Sequence, residues 1–380
     1  MPKLINRLLH CMLLICSAVF IPFVSASNFT VEKEHYGKLD DGRVITKYTL
    51  IGPQIRLSAI NYGGIITSIE VPDKYGQMDD VVLGYDHLQD YEHRNRYFGA
   101  IIGRFANRLE NGKAMIDGNV FEIEKNREPH HLHGGSIGFD KVVWDANPKV
   151  TNESASLILK YLSKDGEAGY PGNLHVTITY TVTSKNEFIV EYQANTDQST
   201  IFNPTQHSYF NLSGNHGDKV DDHFLTINSS NYLPLTKESI PLGIVSSTKG
   251  TPFDFSVATK LASVFDNEPK ELVDTNGLDH FWVSKEQRGE LTKFAELTHP
   301  KSGRKLTVFS TEVGGQIYSG NYLTPSVVGK YNTPYQQRSG ICIETGQYPN
   351  SPNNSLPTVV VKPDETFYSK TIHVFSYIKS

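Results

Sequence analysis

The residues of this chain that most clearly suggest a reactive or metal-binding site are a run of histidines followed by glycines. EPHHLHGGSIGFD, residues 128–140, contains His130, His131 and His133, and the glycines after them form G-x-S-x-G around Ser136. Histidine is a common zinc ligand and a general acid or base near neutral pH. G-x-S-x-G surrounds the nucleophilic serine of α/β-hydrolases. The segment alone therefore permits a metal centre, a serine nucleophile, or a sugar site that needs neither.

The first alternative is a metal centre. On a strand, His131 and His133 point to one face, as two ligands of a single ion must. Zinc usually takes a third protein ligand, often His or a carboxylate, and the chain offers many such residues elsewhere. An H-x-H pair is a weak signal, so this interpretation competes with histidines that are hydrogen-bonded in a loop.

The second alternative is a serine hydrolase. A nucleophile elbow needs a strand before the serine and a helix after it. Ser136 is followed by IGFDKVVWD, which is typical of a loop that enters a short strand. The sequence therefore argues against a nucleophilic Ser136.

Alternation of apolar and polar residues dominates the rest of the chain. LHVTITYTVT, residues 174–183, alternates without error, and FIVEYQA, residues 188–194, follows as its predicted hairpin partner. Helical patterns are few and short, at residues 86–97 and 256–266. The pattern predicts an all-β protein of packed antiparallel sheets in one large domain.

Composition excludes several functional classes. The net charge is −5 and the isoelectric point is about 6.3, with no basic run, so a nucleic-acid partner is not expected. Neither a dinucleotide-binding G-x-G-x-x-G after a strand nor a phosphate-binding G-x-x-x-x-G-K-[ST] occurs. The chemistry is therefore expected to proceed without a nucleotide cofactor.

The N-terminus predicts a secretory leader. Residues 1–26 combine two early cations, a short apolar run and small residues at a plausible cleavage point, with Val24 and Ala26 in the −3 and −1 places. The alternative is an uncleaved membrane anchor, for which the apolar run is short. Cleavage leaves residues 27–380 as a single domain whose only cysteine is Cys342, so no intramolecular disulfide can form. We expect an exported protein, periplasmic or secreted, without stable membrane association.

Further segments each set polar side chains that can hydrogen-bond or move protons among glycines and aromatic residues. They are GAIIGRFANRLENGK (99–113), NPTQHSYFNLSG (203–214), GLDHFW (277–282), GGQIYSGNYL (314–323) and GICIETGQYPNSPN (340–353).

Together with HLHGG and NYGGIITSIEVPDKYGQMDDVVLGYD, these segments resemble the aldose 1-epimerases, also called galactose mutarotases, in the family's own order. The resemblance extends from about residue 35 to the C-terminus. It implies a large antiparallel β-sandwich, the galactose mutarotase-like supersandwich, with few short helices. It also implies interconversion of the α and β anomers of free hexoses by ring opening and closure. The implied partner is a monosaccharide, with no metal or redox cofactor, and the implied assembly is a monomer or homodimer.

The resemblance also assigns roles to particular residues. Glu344 matches the catalytic base that takes the proton of the C1 hydroxyl, and His207 matches the acid that protonates the ring oxygen. Because free Glu titrates near about 4.3 and free His near about 6.5, we expect an ionised Glu beside a charged His. The matched sugar-binding residues are Asn107, Arg108, His133, Asp279 and Gln316.

Neighbouring residues receive structural interpretations. Arg104 is the more structural arginine of its pair, and His130 and His131 are predicted to be loop residues without a catalytic part. Thr205-Gln206 and residues 128–130 differ from the family's expected forms, which puts substrate preference in question more than catalysis.

Three other functions remain open from the sequence. A sugar-binding or sensing protein of the same fold would bind aldoses without exchanging their anomers. A hexose-6-phosphate epimerase would need cationic groups to hold the phosphate, and export makes a phosphorylated substrate less expected. A metallo-hydrolase or lyase would use the histidine run.

Overall fold

Antiparallel strands make up most of the chain in the computed structural model, which describes residues 28–94, 96–266, 269–358 and 360–378. The leader predicted at residues 1–26 lies outside this part. Among the described residues, no helix has both the length and the apolarity that crossing a membrane requires.

The described chain consists almost entirely of strands, with three short α-helices. The strands are β1 Thr30–Lys38, β2 Val44–Ile51, β3 Arg56–Ile60, β4 Ile66–Pro72, β5 Met78–Asp80, β6 Ile101–Ile102, β7 Arg108–Leu109, β8 Lys113–Ile116, β9 Asn119–Glu122, β10 His131–Leu132, β11 Asp145–Val150, β12 Ser154–Ser163, β13 Leu174–Thr183, β14 Glu187–Thr196, β15 Thr200–Ile201, β16 Thr205–Gln206, β17 Tyr209–Phe210, β18 Phe224–Ile227, β19 Asn231–Leu233, β20 Ser246–Ser247, β21 Thr259–Lys260, β22 Asp279–Val283, β23 Thr292–Thr298, β24 Arg304–Ser310, β25 Gly314–Tyr318, β26 Ile341–Gly346, β27 Val360–Val361 and β28 Phe367–Tyr377. The helices are α1 Leu88–His93, α2 Leu261–Phe265 and α3 Lys270–Val273.

Three sheets organise these strands. A five-stranded meander runs β1-β2-β3-β4-β5, and a nine-stranded sheet runs β11-β12-β13-β14-β28-β24-β23-β18-β21. A six-stranded sheet runs β17-β26-β25-β22-β19-β20, and short two-stranded pairs such as β7 with β10 and β6 with β16 connect them. The ladders between these strands are antiparallel, so the predicted all-β sandwich is confirmed.

The apolar and polar residues that alternate along the predicted strands are alternately buried and at least partly exposed in the fold. Along β13, Leu174, Val176, Ile178, Tyr180 and Val182 are buried, while the intervening residues are exposed or half-buried. The predicted hairpin partner is β14, which pairs with β13 over nine residues. Since successive strand residues point to opposite faces, one apolar face per strand is enough to cover the core.

One hydrophobic core joins the three sheets. Its buried members include Leu57 and Ile69 of the five-stranded sheet, Ile178 of the nine-stranded sheet, and Trp282 and Ile343 of the six-stranded sheet. Burying such a side chain contributes roughly 1.5–3 kcal/mol relative to exposure. One face of the six-stranded sheet therefore packs on the core, and its other face is available for a binding site.

The helices are shorter than the sequence pattern predicts. The pattern at 86–97 yields only α1, Leu88–His93, and the pattern at 256–266 yields only α2, Leu261–Phe265. The short α3, Lys270–Val273, has no counterpart in the prediction. Isolated helical turns of this length depend on packing against their neighbours rather than on propensity, which explains their uncertain bounds in a sequence pattern.

Candidate active site

One face of the six-stranded sheet forms the floor of the site. Register places Gln316 opposite Glu344 and Tyr318 opposite both Asp279 and Cys342. Residues two apart on a strand share a face, and residues in register across a ladder share it too. The three strands β22, β25 and β26 thus bring side chains from distant segments onto one surface.

The opposite face of the same strands is apolar. Trp282, Ile317 and Ile343 alternate with the site residues and are buried in the core. A shift of one residue in any of these strands would exchange the two faces. The core residues therefore determine which side chains face the site.

His207 lies between β16 and β17, at the edge of this floor. Its backbone N–H donates to the carbonyl oxygen of Ala100 at 2.9 Å, and its own carbonyl accepts the N–H of Gly99 at 3.0 Å. The side chain is 5% exposed. These two backbone hydrogen bonds hold the imidazole at a defined place beside β26.

The imidazole of His207 meets the carboxyl group of Glu344. His207 Nε2 lies 3.5 Å from Glu344 Oε1, and both side chains are buried. On its other side, Nδ1 lies 3.5 Å from Cys342 Sγ. Nε2 is therefore the nitrogen available to exchange a proton with a ligand or with Glu344.

Burial shifts both members of this pair toward their neutral forms. It lowers the pKa of His207 to about 4, opposed by a hydrogen bond to its own backbone. Burial, followed by the charge of Asp279, raises the pKa of Glu344 well above its usual value. This differs from the ionised Glu and charged His expected from free amino acids. The reason is that both groups have lost the water that stabilises their charges.

Asn107 and His133 clamp two loops together above the floor. The N–H of Asn107 donates to His133 Nδ1 at 3.2 Å, and the N–H of His133 donates to the Asn107 carbonyl at 3.0 Å. Both residues have positive φ, 66° and 53°. Burial lowers the pKa of His133 well below its usual value. Since Nδ1 accepts a hydrogen bond, the neutral ring carries its proton on Nε2 and can donate it to a ligand.

The glycine after His133 is required by a close approach of two chain segments. Gly134 has a φ of 90°, and a Cβ there would lie 1.8 Å from the carbonyl oxygen of Gly103. Gly118 has a similar φ of 78°, but a Cβ there would meet nothing within 4 Å. Substitutions at these two positions can therefore distinguish the effect of the positive φ from the effect of the close approach.

We expect Gly134→Ala to lower the free energy of unfolding by about 3 kcal/mol or more, because strain in φ adds to overpacking. Gly118→Ala should cost only about 1–2 kcal/mol from the backbone angle. Urea unfolding followed by circular dichroism measures both. Equal losses in the two variants would contradict the close approach as the cause.

Asp279, Arg108 and Gln316 form a second polar group in the wall. Gln316 Nε2 donates to Asp279 Oδ1 at 2.7 Å, and Arg108 Nη1 lies 4.0 Å from Asp279 Oδ2. Burial raises the pKa of Asp279, and the charge of Arg108 and the hydrogen bond from Gln316 oppose that rise. Gln316 thus holds the carboxylate of Asp279 in place, and Arg108 balances its charge. The carboxylate oxygens can still accept hydrogen bonds from sugar hydroxyls.

These side chains surround one cavity of about 290 Å³. That volume is at the lower end of the range for small-molecule pockets, about 300–1,000 Å³. Its lining includes all the sequence-predicted site residues except His207, whose Nε2 lies 3.5 Å from the lining residue Glu344. Tyrosines form much of the remaining wall, and their faces suit the C–H face of a sugar ring. The tyrosines are Tyr97, Tyr209, Tyr318 and Tyr322.

The histidine run does not form a metal centre. β10 ends at Leu132, and the positive φ of His133 turns its side chain away from that of His131, so the two do not share a face as a continued strand requires. His131 contacts the carbonyl oxygen of Glu124 and the hydroxyl of Tyr170. The shared face that the metal alternative requires is therefore not formed, and His131, predicted to be a loop residue, lies in the short strand β10.

His130 and Ser136 of the same segment also lie outside the cavity wall. His130 is buried against the backbone N–H of Asn111 and the carboxylate of Glu238. Ser136 is exposed, and its N–H donates to Glu124. Only a three-residue 3₁₀ turn, Phe139–Lys141, follows it, so the elbow geometry is missing.

Arg104 has the structural role that the sequence predicts. Its buried guanidinium donates to the carbonyl oxygens of Pro171 and Gly172 and to the hydroxyl of Ser163. Arg108, four residues on, lines the cavity instead.

Within the described chain, the group of possible metal ligands nearest the cavity is His207, Cys342 and Glu344. Burial raises the pKa of the Cys342 thiol well above its usual value. Zinc binds the thiolate rather than the thiol, so a metal here would have to displace the proton of a buried thiol.

The sequence analysis assigned no role to several residues around the site. Tyr318 lies two residues after Gln316 and lines the cavity, and Cys342 lies two residues before Glu344 and contacts His207, so strand alternation could have identified both. Tyr97 carries no such signal, because it lies in a loop with a φ of 61°. Its ring lies 4.7 Å from that of His133.

Comparison with known proteins identifies the family of this chain. The family model described as aldose 1-epimerase matches residues 46–373. The chain is 38% identical over 351 residues to galactose mutarotase from Homo sapiens, covering 91% of this chain and 99% of that protein. It is 32% identical over 327 residues to aldose 1-epimerase from Escherichia coli K12, covering 84% and 91%. The crystal structure of galactose 1-epimerase from Lactobacillus acidophilus superposes with a TM-score of 0.81 at 26% identity, covering 92% of this chain and 99% of that one. The protein belongs to the aldose 1-epimerase family.

Proposed function

We propose that this protein is an aldose 1-epimerase, an isomerase that interconverts the α and β anomers of free hexoses such as glucose and galactose. The observation that carries the proposal is the approach of His207 Nε2 to Glu344 Oε1, 3.5 Å, beside a cavity lined with hydroxyl-binding groups. An acid and a base so close together suit a substrate whose two reacting oxygens are both bonded to C1.

The reaction needs two proton transfers. Glu344 accepts the proton of the C1 hydroxyl while His207 Nε2 gives a proton to the ring oxygen. The C1–O5 bond breaks, its electrons stay on O5, and C1 becomes an aldehyde. Rotation about C1–C2 presents the other face of the aldehyde, and the reverse transfers close the ring as the other anomer.

Each ring opening moves the pair between two states of equal net charge. The pair begins as ionised Glu344 with charged His207 and ends as neutral Glu344 with neutral His207. The second state is the one that burial favours in the free site. A single proton redistributed within the pair therefore suffices for both halves of the cycle.

The remaining polar residues are proposed to hold the sugar. Asn107, the Nε2–H of His133, and the linked group of Arg108, Asp279 and Gln316 all line the cavity. Fixing the ring in this way aligns O1 and O5 with the acid and the base, which turns the proton transfers into intramolecular steps.

The direct test is polarimetry. The chain without residues 1–26 is added to freshly dissolved α-D-glucose or α-D-galactose, and optical rotation is followed to equilibrium. We expect relaxation much faster than in buffer alone. Relaxation no faster than in buffer for every common aldose would refute the proposal. Binding without acceleration, seen in the NMR signals of the anomeric protons, would instead support a sugar-binding protein of the same fold.

We also propose that the protein is exported and that its leader is removed after about Ala26. The support is the composition of residues 1–26. The intact mass of the protein recovered from the medium and from cell fractions tests this. A full-length mass in the soluble interior of the cell would refute it.

A further inference from the structure

The mouth of the cavity carries two arginines that the proposed reaction does not use. Arg96 and Arg127 both line the cavity and are both exposed. Neither guanidinium has a carboxylate within 4.0 Å among the described residues, whereas Arg108 deeper in the cavity faces Asp279. We call Arg96 and Arg127 the arginine rim.

The backbone of each rim residue is fixed to the site. The carbonyl oxygen of Arg96 accepts the hydroxyl proton of Tyr209 at 2.9 Å. Arg127 lies in a tight turn where its N–H and carbonyl both bond to His130, at 3.0 Å and 2.8 Å. The side chain of the preceding Asn126 braces this turn through two hydrogen bonds to Leu132, of 2.8 Å and 2.9 Å. The backbone of the rim therefore holds a fixed position, from which the two arginine side chains reach the cavity mouth.

The charges of the lining do not cancel. Three arginines face two carboxyl groups, and one of those, Glu344, is held toward its neutral form by burial. Asp279 balances Arg108, which leaves the arginine rim without compensation. The protein as a whole carries a net charge of −5. The cavity mouth is thus a local positive field on a negative molecule, an arrangement that attracts anionic ligands.

We propose that the arginine rim binds an anionic substituent of the sugar, so that the preferred substrates include acidic aldoses such as a hexuronic acid. This inference rests on the proposed function, because it extends the substrate class of the same site. Guanidinium groups recognise carboxylates and phosphates through paired N–H donors. A hexuronic acid keeps the free C1 hydroxyl and ring oxygen that the reaction requires, while its carboxylate supplies the charge for the rim.

The test compares sugars that differ in charge. Anomer exchange is measured by NMR for D-galactose, D-galacturonate and D-galactose 6-phosphate, with wild type, Arg96→Gln, Arg127→Gln and the double variant. The matched control is Arg94→Gln, since Arg94 is an exposed arginine near Arg96 that pairs with Asp90 instead of lining the cavity. The double variant should lower kcat/KM for galacturonate about tenfold relative to galactose. Added salt should lower the galacturonate value selectively.

Each outcome bears on the inference. An unchanged ratio in the double variant, or an equal loss in Arg94→Gln, would overturn it. A preference for the phosphate ester without one for galacturonate would overturn the assignment to a carboxylate. If no sugar is turned over, the proposed function fails. NMR titration then still decides whether galacturonate binds more tightly than galactose and whether the rim variants remove the difference.

Discussion

Glu344→Gln should lower kcat for hexose mutarotation by about 10²- to 10⁴-fold, the usual contribution of one positioned proton transfer. Glutamine has nearly the same shape as glutamate, so the strand and the cavity should remain. Its amide cannot accept the proton of the C1 hydroxyl, and ring opening would depend on water. Polarimetry at saturating sugar measures kcat, and circular dichroism verifies the fold.

Glu312→Gln is the matched control for this variant. Glu312 is another buried glutamate whose pKa burial raises, but it pairs with Arg288 and Gln347 and does not line the cavity. Its replacement tests the cost of removing a buried carboxyl group from the same molecule. Nearly full activity in Glu344→Gln, or an equal loss in Glu312→Gln, would exclude Glu344 as the base.

The fold was predictable because its signal is local. Residues 174–183 alternate without error, and burial of one face follows from the strand period alone. The same rule carried further could have placed Cys342 and Tyr318 beside the predicted site residues. Strand alternation therefore contains more of the site than the motifs by themselves indicate.

The geometry of the histidine run was not predictable in this way. Its outcome depends on the positive φ of His133 and on the contact between Gly134 and Gly103, which lie 31 positions apart in the chain. A local pattern continues the strand through His133 and so keeps both histidines on one face. The contact between distant segments ends the strand and directs His133 alone into the cavity.

The protonation state of the proposed catalytic pair could not be predicted from the sequence either. Values for free amino acids predict an ionised Glu and a charged His, whereas burial moves His207 and Glu344 in opposite directions. The burial of these two side chains results from the packing of the three sheets around the site. It cannot be inferred from the residue types alone. The resemblance supplied the identities of the pair, and only the packed structure supplies their resting state.

His207→Gln should also lower kcat by about 10²- to 10⁴-fold, because the ring oxygen loses its proton donor. The pH profile separates this role from a structural one. The working pair carries one proton in total. Below about pH 4, the lowered pKa of His207, the pair takes up a second proton and Glu344 can no longer accept one. Above the raised pKa of Glu344 the pair has lost its proton and His207 cannot donate one.

For wild type we therefore expect a bell-shaped plot of kcat/KM against pH that is wider than the interval of about two units between free Glu and free His. In His207→Gln the remaining activity should only rise with pH, through the raised pKa of Glu344, because an ionised base is then the sole requirement. His373→Gln is the matched control, since His373 is buried with a pKa lowered to about 4 but stacks on Phe188 in the core. A narrow wild-type profile between about 4.3 and 6.5 would mean that the pair is hydrated as free side chains are, and would contradict the effect of burial. A bell that survives in His207→Gln would assign the proton donor to another residue.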